Sequence, residues 1–351
     1  RSTTLYYMNL FNLVRSKNLT PELQELLGIK RNELKARAMD ALFDVGAAGG
    51  LYPGLEEAIT DAEFQKEIDL IYLLPTYQKI MDENLGKIIG SPSEVERIEA
   101  ANSICRMAPS PPTMDALARL LQDRSVEVVL YALNGASVHR WPEHVPVILR
   151  HLGNPMTVAE AQTALAAYGP EIVGRIAPHL RSADEPAEVR RAIPEVLARI
   201  GTQKAADILV AELARRRDDM EQALIDALYK VRAERPRVRF RERDLRPELR
   251  FLIRKACDVV LGPPGPPEEA RAALVIRLRR VFDLLTLLYL REDIVNDYQH
   301  ILQGTSKSVD YALEHLDNLL DREDKELLFP LIEDLPDGER VVRLKKALRL
   351  K

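Results

Sequence analysis

The densest run of chemically capable side chains lies between Lys230 and Lys255. It carries eleven basic residues, Lys230, Arg232, Arg235, Arg237, Arg239, Arg241, Arg243, Arg246, Arg250, Arg254 and Lys255, against four acids, Glu234, Glu242, Asp244 and Glu248. The segment is +7 in a chain of net charge −4, which leaves −11 on the remainder. Planar guanidinium groups donate paired hydrogen bonds to carboxylates and phosphates. A basic patch on an acidic body can therefore meet an acidic protein surface or anionic lipid. It can also neutralise nucleic-acid phosphates, but Phe240 and Phe251 are the only aromatics in the run. That is a poor supply for base stacking, and nucleic acid is disfavoured as a partner. The reading without a ligand is a segment that is solvated or paired within the fold. The candidate interaction surface is Arg235, Arg237, Arg239, Arg241 and Arg243, together with Arg190, Arg191 and Arg199 on an upstream helix.

Other constellations carry less. His139, His144 and His151 fall in HRWPEHVPVILRH at spacings of five and seven. A helical metal pair needs ligands one turn apart, so no metal site is expected. His179, His300 and His315 stand alone as surface or packing residues. Cys105 and Cys257 are far apart in apolar helical stretches and read as buried reduced thiols. No glycine-rich phosphate loop, nucleophile elbow or HExxH is present. The glycines of GAAGGLYPG, at 46, 49 and 50, can make a turn, but no Lys-Ser/Thr follows them. The expectation is a non-catalytic chain with no cofactor.

The elements that must position these residues are helical. Hydrophobic residues make up 46% of the 351, charged residues 30% and aromatics only 5%. That composition supports a large core and favours helix over strand. Val95, Val126, Val158, Val189 and Met220 recur at steps of 31, 32, 31 and 31 residues. Leu133, Leu165, Leu197 and Leu228 follow the last four at an offset of seven or eight. A period near 31 is that of a helical-hairpin repeat whose faces are buried by stacking. Asp123, Ser125 and Ser182 fall where a following helix needs a cap, and Gly169 and Gly201 where one must stop. Pro146, Pro178 and Pro194 sit in otherwise helical segments, where they act as early or kinking prolines.

The expected fold is all-α, a HEAT-like α-solenoid of stacked antiparallel helical hairpins. Residues 1–90 read as an N-terminal helical cap or degenerate repeats, with helices at Asn32–Val45 and Phe64–Leu74. Residues 91–260 read as central HEAT-like repeats, 261–267 as a Pro/Gly loop, and 268–351 as C-terminal helical repeats. The most apolar run, Val281 to Leu290, is ten residues long and carries Asp283. A membrane span needs roughly 20 apolar residues.

The C-terminal part carries a resemblance. The run from Arg280 to Tyr289 (RVFDLLTLLY) leads to ALEHLDNLL at 312–320 and LLFPLIED at 327–334. This resembles the HEAT-repeat region of bacterial proteins that fuse such repeats to an ATP/ADP-translocase-like (MFS-type) transporter domain. The resemblance implies a cytoplasmic solenoid, the cytosolic part of an inner-membrane protein, with a protein partner or its own membrane domain beside it. The chain opens on Arg1 rather than Met, which fits a fragment of such a protein. Two alternatives remain from the same architecture: a DNA-binding solenoid like the alkylpurine glycosylases, and a nucleotide-sensing regulatory domain of a transporter. Contact of residues 230–255 with anionic lipid is a further expectation.

Overall fold

The computed structural model describes residues 75–263, 266–289 and 292–349. Most of the expected N-terminal cap, the expected helices at 32–45 and 64–74, the glycines at 46, 49 and 50, and Pro264 and Gly265 lie outside the described residues. Among the described residues all regular structure is helical. The chain divides into two compact units, up to Ala167 and from Tyr168 onward.

The first unit contains α1 (Pro75–Ile88), α2 (Glu94–Ile104), α3 (Pro111–Leu120), α4 (Val126–His139), α5 (Val145–His151) and α6 (Val158–Ala167). Serine starts three of them. The hydroxyls of Ser93, Ser110 and Ser125 each accept a backbone N–H two or three positions inside the helix, removing one of the unsatisfied donors at that end. α4 packs on α2 and α3, and α6 packs on α4. Close approach is possible because residue 135 is glycine. A Cβ there would stand 3.2 Å from Leu117 Cδ1 and 3.3 Å from Cys105 Sγ. Arg97 ties the layers, its fork gripping Asp123 at 2.7 and 3.0 Å.

The second unit opens on two short 3₁₀ turns, Gly169–Ile172 and Ala177–Leu180, around α7 (Val173–Ile176). There follow α8 (Ala187–Ile200), α9 (Gln203–Leu213), α10 (Glu221–Glu234), α11 (Glu242–Leu261) and α12 (Pro267–Tyr289). The chain continues with α13 (Glu292–Gln303), α14 (Ser306–Leu319), α15 (Arg322–Ile332) and α16 (Asp337–Ala347). α8 ends on Gly201 at φ +62°, and Thr202 caps α9. The expected cap at Ser182 does not form. Its hydroxyl instead accepts the Asp184 N–H at 3.2 Å within the turn, and α8 starts after Pro186 without a side-chain cap. Pro146 and Pro178 occupy first-turn positions, and Pro194 lies inside α8.

The two apolar rows separate in the structure. Leu133, Leu165, Leu197 and Leu228 are all fully buried. In the other row Val189 and Met220 are buried, but Val95 is 42% and Val126 37% exposed. The second row lies mid-helix, against neighbouring helices; the first marks helix starts, where one side still faces water. α11 is the hub of the second unit, packing on α12, α15, α16 and α9. Leu245, Leu249, Leu252, Ile253, Ala256 and Cys257 form its buried side. The run of residues 281–287 on α12 is part of the same core. The residues between α11 and α12 connect two helices that pack on each other.

Candidate functional site: an arginine-lined cleft

The side of α11 opposite its apolar stripe carries Arg243, Arg246, Pro247, Arg250, Phe251 and Arg254. Steps of three and four residues bring these onto one helical face. With Arg216, just past the end of α9, and Glu323, in the first turn of α15, they line an open cleft of about 340 Å³.

The cleft has a floor and a rim. The floor is Arg246 and Arg250, both locked onto acids from the start of α15. Arg250 donates to Asp324 at 2.9 Å and to Asp321 at 2.7 Å. Arg246 pairs with Asp321 and Glu242 and reaches the Tyr289 hydroxyl at 3.3 Å. Asp321 caps α15 by accepting the Asp324 N–H at 2.9 Å. Asp324 is completely buried. Burial and the neighbouring Asp321 charge push its carboxyl above the ordinary aspartate value, against the pull of Arg250 and Arg246. Asp321 goes the other way: burial opposes its charge, but the Asp324 amide, Arg250 and Arg246 hold it below the ordinary value. Burial likewise works against the charge on Arg246, and Glu242 and Asp321 more than restore it, so its pKa lies above the usual arginine value.

The rim is Arg216, which donates two hydrogen bonds to Glu248 at 3.3 and 3.5 Å, together with Arg243 and Arg254, whose ion pairs are long. Arg243 stands 3.6 Å from Asp244, Arg254 3.9 Å from Glu323, and Arg216 3.3 Å from Glu248. Their side chains are 75%, 57% and 45% exposed, respectively. Arg216 also lies over the Phe251 ring, 4.4 Å from its centroid. It does so from a left-handed backbone, φ +56°, a conformation that an arginine adopts at a cost of order 1 kcal/mol or more. Strained positions of this kind cluster at binding sites.

Of the residues singled out in the sequence, only Arg243 lines the cleft. Arg235 follows α10, donates to the Arg199 carbonyl at 3.1 Å and covers Gly201. Arg237, Arg239 and Arg241 are exposed on the irregular stretch before α11, where Arg241 pairs with Asp244 at 2.9 Å. Arg190, Arg191 and Arg199 all lie on α8. Arg190 closes the turn before α8, donating to the Glu185 carbonyl at 2.8 Å. Arg191 pairs with Glu188 and Arg199 with Glu195 within the helix. Arg246, Arg250 and Arg254 were legible only as a helical period, which the alternate spacing of Arg235 to Arg243 obscures, and no sequence spacing ties Arg216 to them.

The histidines are structural. Nε2 of His139, His144 and His151 donates to the carbonyls of Ile104, Met114 and Leu121 at 2.7, 3.1 and 2.6 Å. A carbonyl only accepts, so each ring carries its proton on Nε2. Trp141 stacks on His139 with centroids 4.4 Å apart and meets His144 edge-on. Burial raises the Cys105 thiol to about 11 and the Cys257 thiol to about 12, so both are protonated at neutral pH. Among the described residues no group of three or more His, Cys, Asp or Glu is placed to hold a metal ion. No helix among them is long and apolar enough to cross a membrane. Compared with protein-family models, curated proteins and solved structures, the chain matches none.

Proposed function

We propose that this chain is a non-catalytic binding and scaffolding module, a HEAT-like solenoid of stacked helical hairpins, that docks an acidic segment of a protein partner or of its own membrane domain. The carrying observation is the rim of the α11 cleft, where Arg243 and Arg254 hold only long ion pairs and Arg216 is turned to a single carboxylate. Guanidinium groups stay protonated at any physiological pH, so such a lining binds rather than exchanges protons. The packing of α4 on α2, of α6 on α4, and of α10 on α8, each two helices apart within its own unit, supports the stacking of hairpins.

The test is fluorescence anisotropy with a labelled glutamate-rich peptide. Binding should weaken with salt and be lost in the double variant Arg243→Glu/Arg254→Glu. Equal binding by that variant removes the cleft from the function. Placement in the cytoplasm beside a transporter-like domain rests on the resemblance at 312–334; a genomic reading frame without membrane spans would remove it. The exposed Arg237, Arg239 and Arg241 favour one second reading, contact of residues 230–255 with anionic lipid. Equal sedimentation with neutral and anionic vesicles would dispose of it.

A further inference from the structure

The cleft already contains an anion. Glu323 meets Arg250 at 3.0 Å and Arg254 at 3.9 Å from a side chain that is itself 54% exposed. Of the two arginines only Arg250 lies within hydrogen-bonding distance, so Arg254 is held loosely. Arg216 and Arg243 line the same cleft and are turned to other acids, Glu248 and Asp244. The guanidinium donors at the rim thus exceed what Glu323 can accept. Beside them, Phe251 and Pro247 supply an apolar wall, and Arg216 already rests on the Phe251 ring. An oxyanion with three terminal oxygens and two charges matches three forks better than a carboxylate does.

We propose that the cleft is a site for a phosphoryl group, which seats among Arg216, Arg243 and Arg254 against Phe251 and displaces the Glu323 carboxylate. Glu323 is then a resident competitor: it keeps the arginines ordered and sets how strongly an incoming phosphoryl group must bind. Arg246 and Arg250 stay on Asp321 and Asp324 throughout, and Arg250 gives up only its 3.0 Å contact with Glu323. The proposal rests on the cleft being the docking site and adds the chemistry of the docked group. The phosphoryl group can belong to a free ester or to a phosphorylated side chain of the partner segment.

Calorimetry with four probes separates these cases: pyrophosphate, phenyl phosphate, a glutamate-rich peptide bearing one phosphoserine, and its twin with glutamate at that position. The phosphoserine peptide should bind about tenfold tighter than the twin, a difference near 1.4 kcal/mol. Glu323→Gln should tighten it several-fold further, and Arg216→Gln and Arg254→Gln should each erase the preference. Arg243→Gln, at the most exposed rim position, serves as the variant least able to disturb folding. Binding of phenyl phosphate or pyrophosphate as tight as that of the phosphopeptide identifies a free ester as the source. Equal affinity for the two peptides, or no effect of Glu323→Gln, overturns the phosphoryl site while leaving the docking reading intact. Silence of all four probes overturns both.

Discussion

The histidine cluster of the first unit and the arginine face of the second are both runs of polar side chains on helices, and they do opposite things. His139, His144 and His151 each spend one N–H on one backbone carbonyl some 30 residues earlier. Their donors are matched to acceptors inside the fold, so the cluster is a clasp between helices two apart in the chain. The arginine face is closed at its floor, on Asp321 and Asp324, and left open at its rim. A polar cluster whose hydrogen-bonding capacity is consumed internally holds structure together. One with surplus donors facing a cleft is equipped for a ligand.

The largest effect should come from the floor. Asp324→Ala takes a fully buried partner from two part-exposed arginines that keep Asp321, a loss of charge-assisted hydrogen bonding of about 3 kcal/mol. Denaturant unfolding should show that loss together with loss of anion binding. His144→Ala comes next, at about 2 kcal/mol, because it opens a cavity and leaves the Met114 carbonyl unpaired. It should leave peptide binding untouched; an equal loss of binding would erase the contrast between clasp and cleft. Arg254→Gln should do the reverse, weakening the phosphopeptide about tenfold while changing stability by no more than about 0.5 kcal/mol.

The smallest effect is in pH. Burial lowers the His144 pKa, and its Nδ1 is buried without a partner. Protonation therefore places an unsatisfied N–H in the core. The unfolded chain binds that proton more readily, so the contribution of neutral His144 is complete above about pH 6.5. It should decline as pH falls from there toward the lower folded value. The acid-side slope of the first unit's stability should flatten in His144→Gln, and an unchanged slope would assign it to other groups.

Much of the local structure was legible because its causes are local. Ser125 caps the helix it immediately precedes, and Gly201 ends one by adopting a backbone few other residues tolerate, whereas Ser182, in the same kind of junction, caps none. The leucine row was legible because each member repeats the same place in a helix. The valine row was legible as a period but not as a core. Whether Val95 or Val189 is covered depends on what packs over the start of that helix, which no period encodes.

The arginine segment marks the boundary between the two kinds of information. Its local charge of +7 is a property of the sequence. Glu242 and Asp244 answer part of it from within, and Glu195, Asp218, Glu221, Asp321, Glu323 and Asp324 answer it from outside the segment. Arg246 and Asp321 are 75 positions apart, a separation over which charge pattern says nothing about contact. By itself the sequence determined helices, their ends, the apolar positions and the presence of a basic run, because each depends on residues within a turn or two. Only the tertiary structure decided which arginines are neutralised and which are left to line a cleft, because an ion pair forms wherever packing brings the partners within reach.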